Sequence, residues 1–372
     1  MPNLVSQSVR CRYILDSPDP GELARAIAVE QTIESPPDLA PQWIRDELVG
    51  HLHSLTERAD GTSEAWIEYD PRVVGEQFPQ FLNLLFGNVG MLDGVALVDV
   101  ELPDEVLRYW SGPRFGLAGL RERYAAPGRA LVGAALKPLG SSSRHLAEMA
   151  SELARAGFDT IKDDHSLANQ VFAPFEERVR VLASSVQEAN RDTGGRSDYY
   201  AALNVPSDEI FDAAHYAKSV GAGGVMVLPG LSGFDVIRAL AMDDSFGLPI
   251  MGHPSLLGPL LRRGNYGIAH HLVFGLLMRL AGADISIFGH HESRFPFTRE
   301  HCRDITDAAR APLGPIAPLW VSPAGGVTLE TLPEVLDFYG RDTATLMAGG
   351  LMKGSLRSNA RTMVDTVHGF QA

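Results

Sequence analysis

Residues 160–165 read Thr-Ile-Lys-Asp-Asp-His and offer the densest chemistry in this 372-residue chain. The lead-in from Phe158 suits an extended strand, along which side chains alternate, so Lys162 and Asp164 share one face. A lysine beside carboxylates can be a plain ion pair, and it can also mark a metal site. Hard divalent cations such as Mg2+ want oxygen ligands. An amine supplies one only after CO2 converts it to a carbamate. A third chemistry, a Schiff base on Lys162 or on Lys137 of AALKP, also fits a lysine at a strand end. Other reactive types end other apolar runs: Asn204, His253 in MGHP, and His290, His291, Glu292 and Arg294 in FGHHESR. Gly325–Gly326 and Gly349–Gly350 end two more. Without a Cβ their backbone N–H groups can close on an anion, although each pair can also be no more than a tight turn.

Such residues need a frame that gathers strand ends. Eight strand-like runs follow residue 113: 131–136, 158–162, 200–204, 224–228, 249–252, 284–288, 319–322 and 345–348, with helical stretches between them. Strand-then-helix repeated eight times over this length predicts a (β/α)8 barrel, whose active site lies at the C-terminal strand ends. A doubly wound open sheet alternates in the same way. Before the barrel, residues 1–112 read as a smaller α+β domain. A strand over 10–15, a helix from Glu22, a strand over 65–70 and a helix in FPQFLNLLFGN mark it. The fold class is therefore α/β, with a barrel over 113–372.

Composition narrows the partners. At 45% hydrophobic and 21% charged the chain is an ordinary globular one, and its formal charge of -14 disfavours nucleic acid and anionic membrane. A small anionic substrate stays open, because a local pocket can oppose the global charge. Two cysteines, Cys11 and Cys302, cannot build a disulfide framework or a zinc cage. The first residues, MPNLVSQSVRCRYILD, lack an apolar signal region, and no run of 18 apolar residues suggests a membrane span, so the cytoplasm is the expected compartment.

Several blocks, in order from about residue 10 to about residue 355, resemble a known family. GAALKPLG, GFDTIKDDHSLANQVFAPFEERV, SPAGGV and LMAGG, with AVEQTIE and LLFGNVG before them, resemble the large chain of ribulose-bisphosphate carboxylase and its relatives. The resemblance implies that Lys162 is a carbamylated ligand of Mg2+ with Asp164 beside it. It implies that Lys137 moves protons at the enolisable carbon and that His253 stands near the substrate. Gly326, Gly349 and Gly350 match a phosphate cradle. Glu30 and Asn88 match residues that reach the neighbouring subunit's site, which implies a homodimer with shared sites. Arg294 falls where the family has a mobile-loop lysine.

The departures point away from CO2 fixation. His165 replaces a family glutamate and is a poorer ligand for Mg2+, so it stands as third ligand or as an acid–base group. The strand-one motif lacks its second lysine. Pro254, Ile287 and Ala324 replace the arginine, histidine and serine of a second phosphate site, and Arg294 is a fixed cation. The expected substrate is a keto-sugar or sugar acid with one phosphate, acted on through a metal-stabilised enediolate. Decarboxylation or C–C hydrolysis of a 3-oxo sugar-acid phosphate is the first specific expectation. An enolase or isomerase of a methylthio-sugar phosphate is the second, and a non-catalytic homologue the third.

Overall fold

The structure, a computed structural model, describes residues 7–371. Residues 1–6, part of the N-terminal stretch read above for a signal region, lie outside it. The N-terminal half builds a sheet from β1 (Val9–Leu15), β2 (His51–Glu57), β3 (Ser63–Tyr69) and β4 (Val95–Glu101). The barrel strands are β5 (Leu131–Ala135), β6 (Thr160–Lys162), β7 (Asp198–Ala202), β8 (Gly224–Val227) and β9 (Ile250–Gly252). They continue, after a two-residue β10 (Gly267–Ile268), as β11 (Ile285–Gly289), β12 (Trp320–Ala324) and β13 (Ala344–Met347).

In the first sheet the order is β10-β4-β1-β3-β2. β1 and β3 alternate buried and part-buried residues, as a sheet with one covered face must. Their inner face packs on the helices Pro20–Glu30 and Phe78–Phe86, with Tyr13, Ile67 and Phe81 at full burial. β10 comes from the barrel half and pairs parallel with β4, so the two halves share a sheet.

The second sheet is parallel throughout, in the order β12-β11-β9-β8-β7-β6-β5-β13. A bridge between Val321 and Thr343 joins its two ends and closes the barrel. All eight strand-like runs of the sequence appear, and nearly every residue in them is buried, the pattern of strands covered on both faces. The helix Ser143–Ala156 shows how local signals set the strands. Ser142 caps it by accepting the N–H of His145 at 3.3 Å, and Gly157 ends it at φ 97°. The chain then turns straight into β6.

The helix Gly116–Arg123 plugs the N-terminal end of the barrel. Leu120 and Tyr124 pack on Tyr200, Met226, Ile285 and Trp320, and the Tyr124 and Tyr200 hydroxyls meet at 2.7 Å. With that end sealed, the large opening lies at the C-terminal ends of the strands.

Candidate active site at the C-terminal mouth of the barrel

A cavity of about 780 Å³ occupies the barrel mouth. Lys137, Lys162, Asp164, His165, His253 and Arg294 all line it, as do Gly326, Gly349 and Gly350. The strand-two residues reach it by alternation. Lys162 and Asp164 face the cavity while Asp163, at full burial, turns into the layer behind and meets Arg178 at 3.2 Å. Arg178 also donates to the carbonyls of Ala168 and Ala173 at 2.7 and 2.8 Å, which fixes the loop after β6.

Lys162 is 3% exposed and donates to the carbonyl of Asp163 at 3.0 Å. Burial lowers its pKa to about 8, and the Lys137 charge adds to that, against the opposing pull of Asp164 and Asp163. An amine so placed is unusually ready to be neutral, the form that reacts with CO2. Burial alone would raise the Asp164 pKa. Hydrogen bonds and charges from His165 and Lys137 outweigh it and hold the carboxyl below its ordinary range. Lys137 bonds its Oδ2. Its Oδ1 is buried, stands 2.7 Å from His165 Nδ1, and has no hydrogen bond of good geometry.

The two histidines form one unit. The His165 and His253 rings stack with centroids 4.6 Å apart. His253 Nδ1 receives the backbone N–H of Ser255 at 3.2 Å. Burial, then the neighbouring Lys162 and His165, push the His253 pKa well down, so the ring is neutral and carries its proton on Nε2. Asn204 supports the pair from behind by donating to the His165 carbonyl at 3.1 Å.

On the β12–β13 side Gly326 and Gly349 leave open backbone, while Phe295 and Ser293 pack against Gly325. Gly325 and Gly326 sit at φ 102° and 144°, conformations that L side chains rarely adopt. Gly326→Ala is expected to strain the backbone by about 1–3 kcal/mol and raise KM for a phosphorylated substrate by about tenfold, with kcat less affected. Steady-state kinetics beside a thermal melt checks it.

The comparisons with known proteins agree with this geometry. Residues 116–292 match the family model described as ribulose bisphosphate carboxylase large chain, catalytic domain. A Rhodospirillum rubrum protein named 5-methylthioribulose-1-phosphate isomerase is 35% identical over 91% of this chain and 89% of its own. The Rhodopseudomonas palustris ribulose bisphosphate carboxylase-like protein 1 is 36% identical over 88% of each. The chain belongs to the ribulose bisphosphate carboxylase large-chain family. A crystal structure of a Rubisco-like protein from Rhodopseudomonas palustris superposes with a TM-score of 0.86 at 33% identity, covering 99% of both chains.

Two of the residues matched to the family lie elsewhere. Asn88 donates to Glu30 at 2.9 Å and to Glu34 at 3.2 Å on the N-terminal half, and neither Glu30 nor Asn88 lines the cavity of its own barrel. His290, His291 and Glu292 do not line it either, although they stand beside Arg294 in sequence. The sequence reading overlooked Ser255, which sets the tautomer of His253, and Thr328, Lys353 and Phe295, which line the cavity. Ser255 was within reach, two residues past a strand-end histidine. Lys353 lies on the turn after Gly349–Gly350, where only the closed barrel brings a cation to the glycines.

Proposed function

We propose that this carboxylase-like enzyme enolises and isomerises a ketose with one phosphate and an apolar far end, of the type of 5-methylthioribulose 1-phosphate. The observation that carries the reading is the apolar wall beside the glycine cradle. Pro254, Leu256, Leu261, Phe274, Ile287 and Phe297 line it on the β9–β11 side, where a second phosphate would need cations and donors. Burying a charge there without a partner is costly, whereas a thioether or alkyl end gains from burial. Arg294, from the loop after β11, is a single cation beside that wall and does not replace the several donors of a phosphate site, so the apolar lining favours the thio-sugar expectation over the sugar-acid one.

The glycine cradle, with Lys353 beside it, takes the phosphate and orients the carbonyl over β6. His253 presents Nε2–H to a substrate oxygen. Lys137, with 37% of its side chain open, is placed to exchange a proton with the neighbouring carbon, and its hydrogen bond with Asp164 holds the amine in position. The residues also fit a Mg2+-class cation, because Asp164 Oδ1 is buried beside His165 Nδ1, with no other partner, and Lys162 is poised for carbamylation. Those two groups and His165 would hold it, and it would supply polarisation of the substrate carbonyl.

The test is incubation with 5-methylthioribulose 1-phosphate in D2O, followed by NMR. Isomer formation with deuterium entering at the carbon next to the carbonyl is expected, with ribulose 1,5-bisphosphate consumed about 100-fold more slowly or less. CO2 release from a 3-oxo sugar-acid phosphate, without isomerisation of the thio-sugar, would overturn it. Ile287→His, which places a cation precursor in the apolar wall, is expected to lower kcat/KM for the thio-sugar by about tenfold or more.

The N-terminal pair belongs to a shared site on this reading. Glu30 and Asn88 serve the barrel of a second copy, and Leu39, Trp43 and Met91 on the same half are exposed apolar side chains that a second copy can cover. Asn88→Ala and Lys162→Ala are each expected to be inactive alone. Mixed and reannealed, they should recover about a quarter of wild-type activity, because half the dimers then hold one intact site of two. No recovery from mixtures shown to exchange subunits would refute sharing.

A further inference from the structure

The loop that carries Arg294 into the cavity is rooted in a second group of ligating side chains that the proposed reaction does not use. His290, His291 and Glu292 place three potential ligand atoms within 4.8 Å of one another. They lie behind the cavity, against Phe338 and Tyr339 from the helix Leu332–Tyr339.

Each histidine has one nitrogen engaged and one free. His290 Nδ1 meets the Tyr339 hydroxyl at 3.1 Å, and His291 Nε2 meets Arg299 Nη1 at 3.1 Å. His290 Nε2 and His291 Nδ1 are left, both buried and both without a hydrogen-bond partner. His290 is 3% exposed, so bulk water does not satisfy its nitrogen. Arg299 can only donate, so His291 Nε2 accepts and the neutral ring carries its proton on Nδ1. The buried orphans are one acceptor, His290 Nε2, and one donor, His291 Nδ1–H, beside the exposed Glu292, and both carry an unmet cost. Burial is the first cause that lowers both pKa values, joined at His290 by the His291 ring and at His291 by the Arg299 charge. The contact with Tyr339 lets His290 hold its proton on Nδ1 and keep the Nε2 lone pair free, a common second partner for a ligating histidine.

The geometry points to a binding site for a borderline divalent cation of the zinc class, held by His290 Nε2, the His291 imidazole and the Glu292 carboxylate, with further positions open to water; the His291 proton moves from Nδ1 to Nε2 as the exposed Arg299 side chain gives way. Two imidazoles and one carboxylate suit Zn2+, Co2+ or Ni2+ better than Mg2+, which prefers oxygen. A cation there ties three consecutive residues at the root of the segment 290–298. It would therefore hold the loop bearing Arg294 and Phe295, separately from any cation at Asp164.

The site can be tested apart from the reaction. Chelator-stripped protein carrying Lys162→Ala, kept free of CO2 so that the strand-two site is disabled, is titrated with Zn2+ and with Co2+. One equivalent of Zn2+ and a cobalt visible spectrum of low coordination number are expected. His291→Ala and Glu292→Gln in that background should each weaken binding by about 100-fold or more. Their melting temperatures without metal should match the parent, which separates ligand loss from misfolding. Zn2+ should also slow trypsin cleavage after Arg294 in the parent and not in the variants. Failure of the parent to bind stoichiometric Zn2+ at micromolar concentration, or equal binding by parent and variants, overturns the proposal.

Discussion

Lys162→Met is expected to cost about a thousand-fold or more in kcat/KM on the isomerised substrate while leaving the fold at least as stable as the wild type. The activity side follows from position. Lys162 is the buried group on the cavity face of β6, next to the Asp164 carboxylate, and no neighbour can take its place. The stability side follows from the sign of its pKa shift. The folded value, about 8, lies below the ordinary 10.5, so the fold disfavours the charged amine. That cost is fully present below pH 8 and is relieved as pH rises from about 8 toward 10.5, where the unfolded chain still holds a proton that the native state has released. Methionine fills similar space with no charge to bury.

The same shift makes a kinetic prediction. CO2 reacts with the neutral amine, so activation at a fixed dissolved CO2 concentration should accelerate about tenfold per pH unit below pH 8 and level off above it. Stopped activation assays between pH 6 and 9, with and without CO2, read this directly. A Lys162→Met enzyme that keeps a tenth of wild-type activity would end the assignment of the cation-holding group to Lys162.

The barrel was legible in sequence because its strands are buried on both faces and read as short unbroken apolar runs. The residues that line the barrel mouth were largely legible too, since reactive side chains at strand ends have little structural reason to gather. What stayed hidden depends on context. β2, HLHSLTE, is an edge strand with most of its residues exposed, so its sequence shows no buried stripe. β10 is two residues long and exists only because β4 offers a free edge. Which way a loop residue faces is equally unreadable. Arg294 enters the cavity while His290, four positions earlier, packs on Tyr339, and the run FGHHESR contains nothing that says so. The roles of Ser255 and Asn204 are contacts across turns and strands, set by distances that spacing does not encode.

Arg178→Met is expected to destabilise the protein by about 3–5 kcal/mol and to abolish activity through the fold of β6 rather than through lost contact with substrate. Arg178 and Asp163 are both fully buried, and Asp163 Oδ2 also receives the N–H of Ala202 at 3.1 Å. Removing the guanidinium leaves a carboxylate in dry core with a single donor, and it frees the carbonyls of Ala168 and Ala173 as well. The buried pair does more than stabilise. By holding Asp163 behind the sheet it makes Lys162 and Asp164 face the mouth, since a slip of one residue would exchange the two faces. Removing both charges should hurt less than removing one, because no uncompensated ion is then left. Asp163→Leu/Arg178→Met is therefore expected to melt above Arg178→Met and below wild type, short of full recovery because of the orphaned carbonyls. A double variant that melts no higher than Arg178→Met would mean that the cost lies in those carbonyl bonds and that the ion pair does not set which way β6 faces.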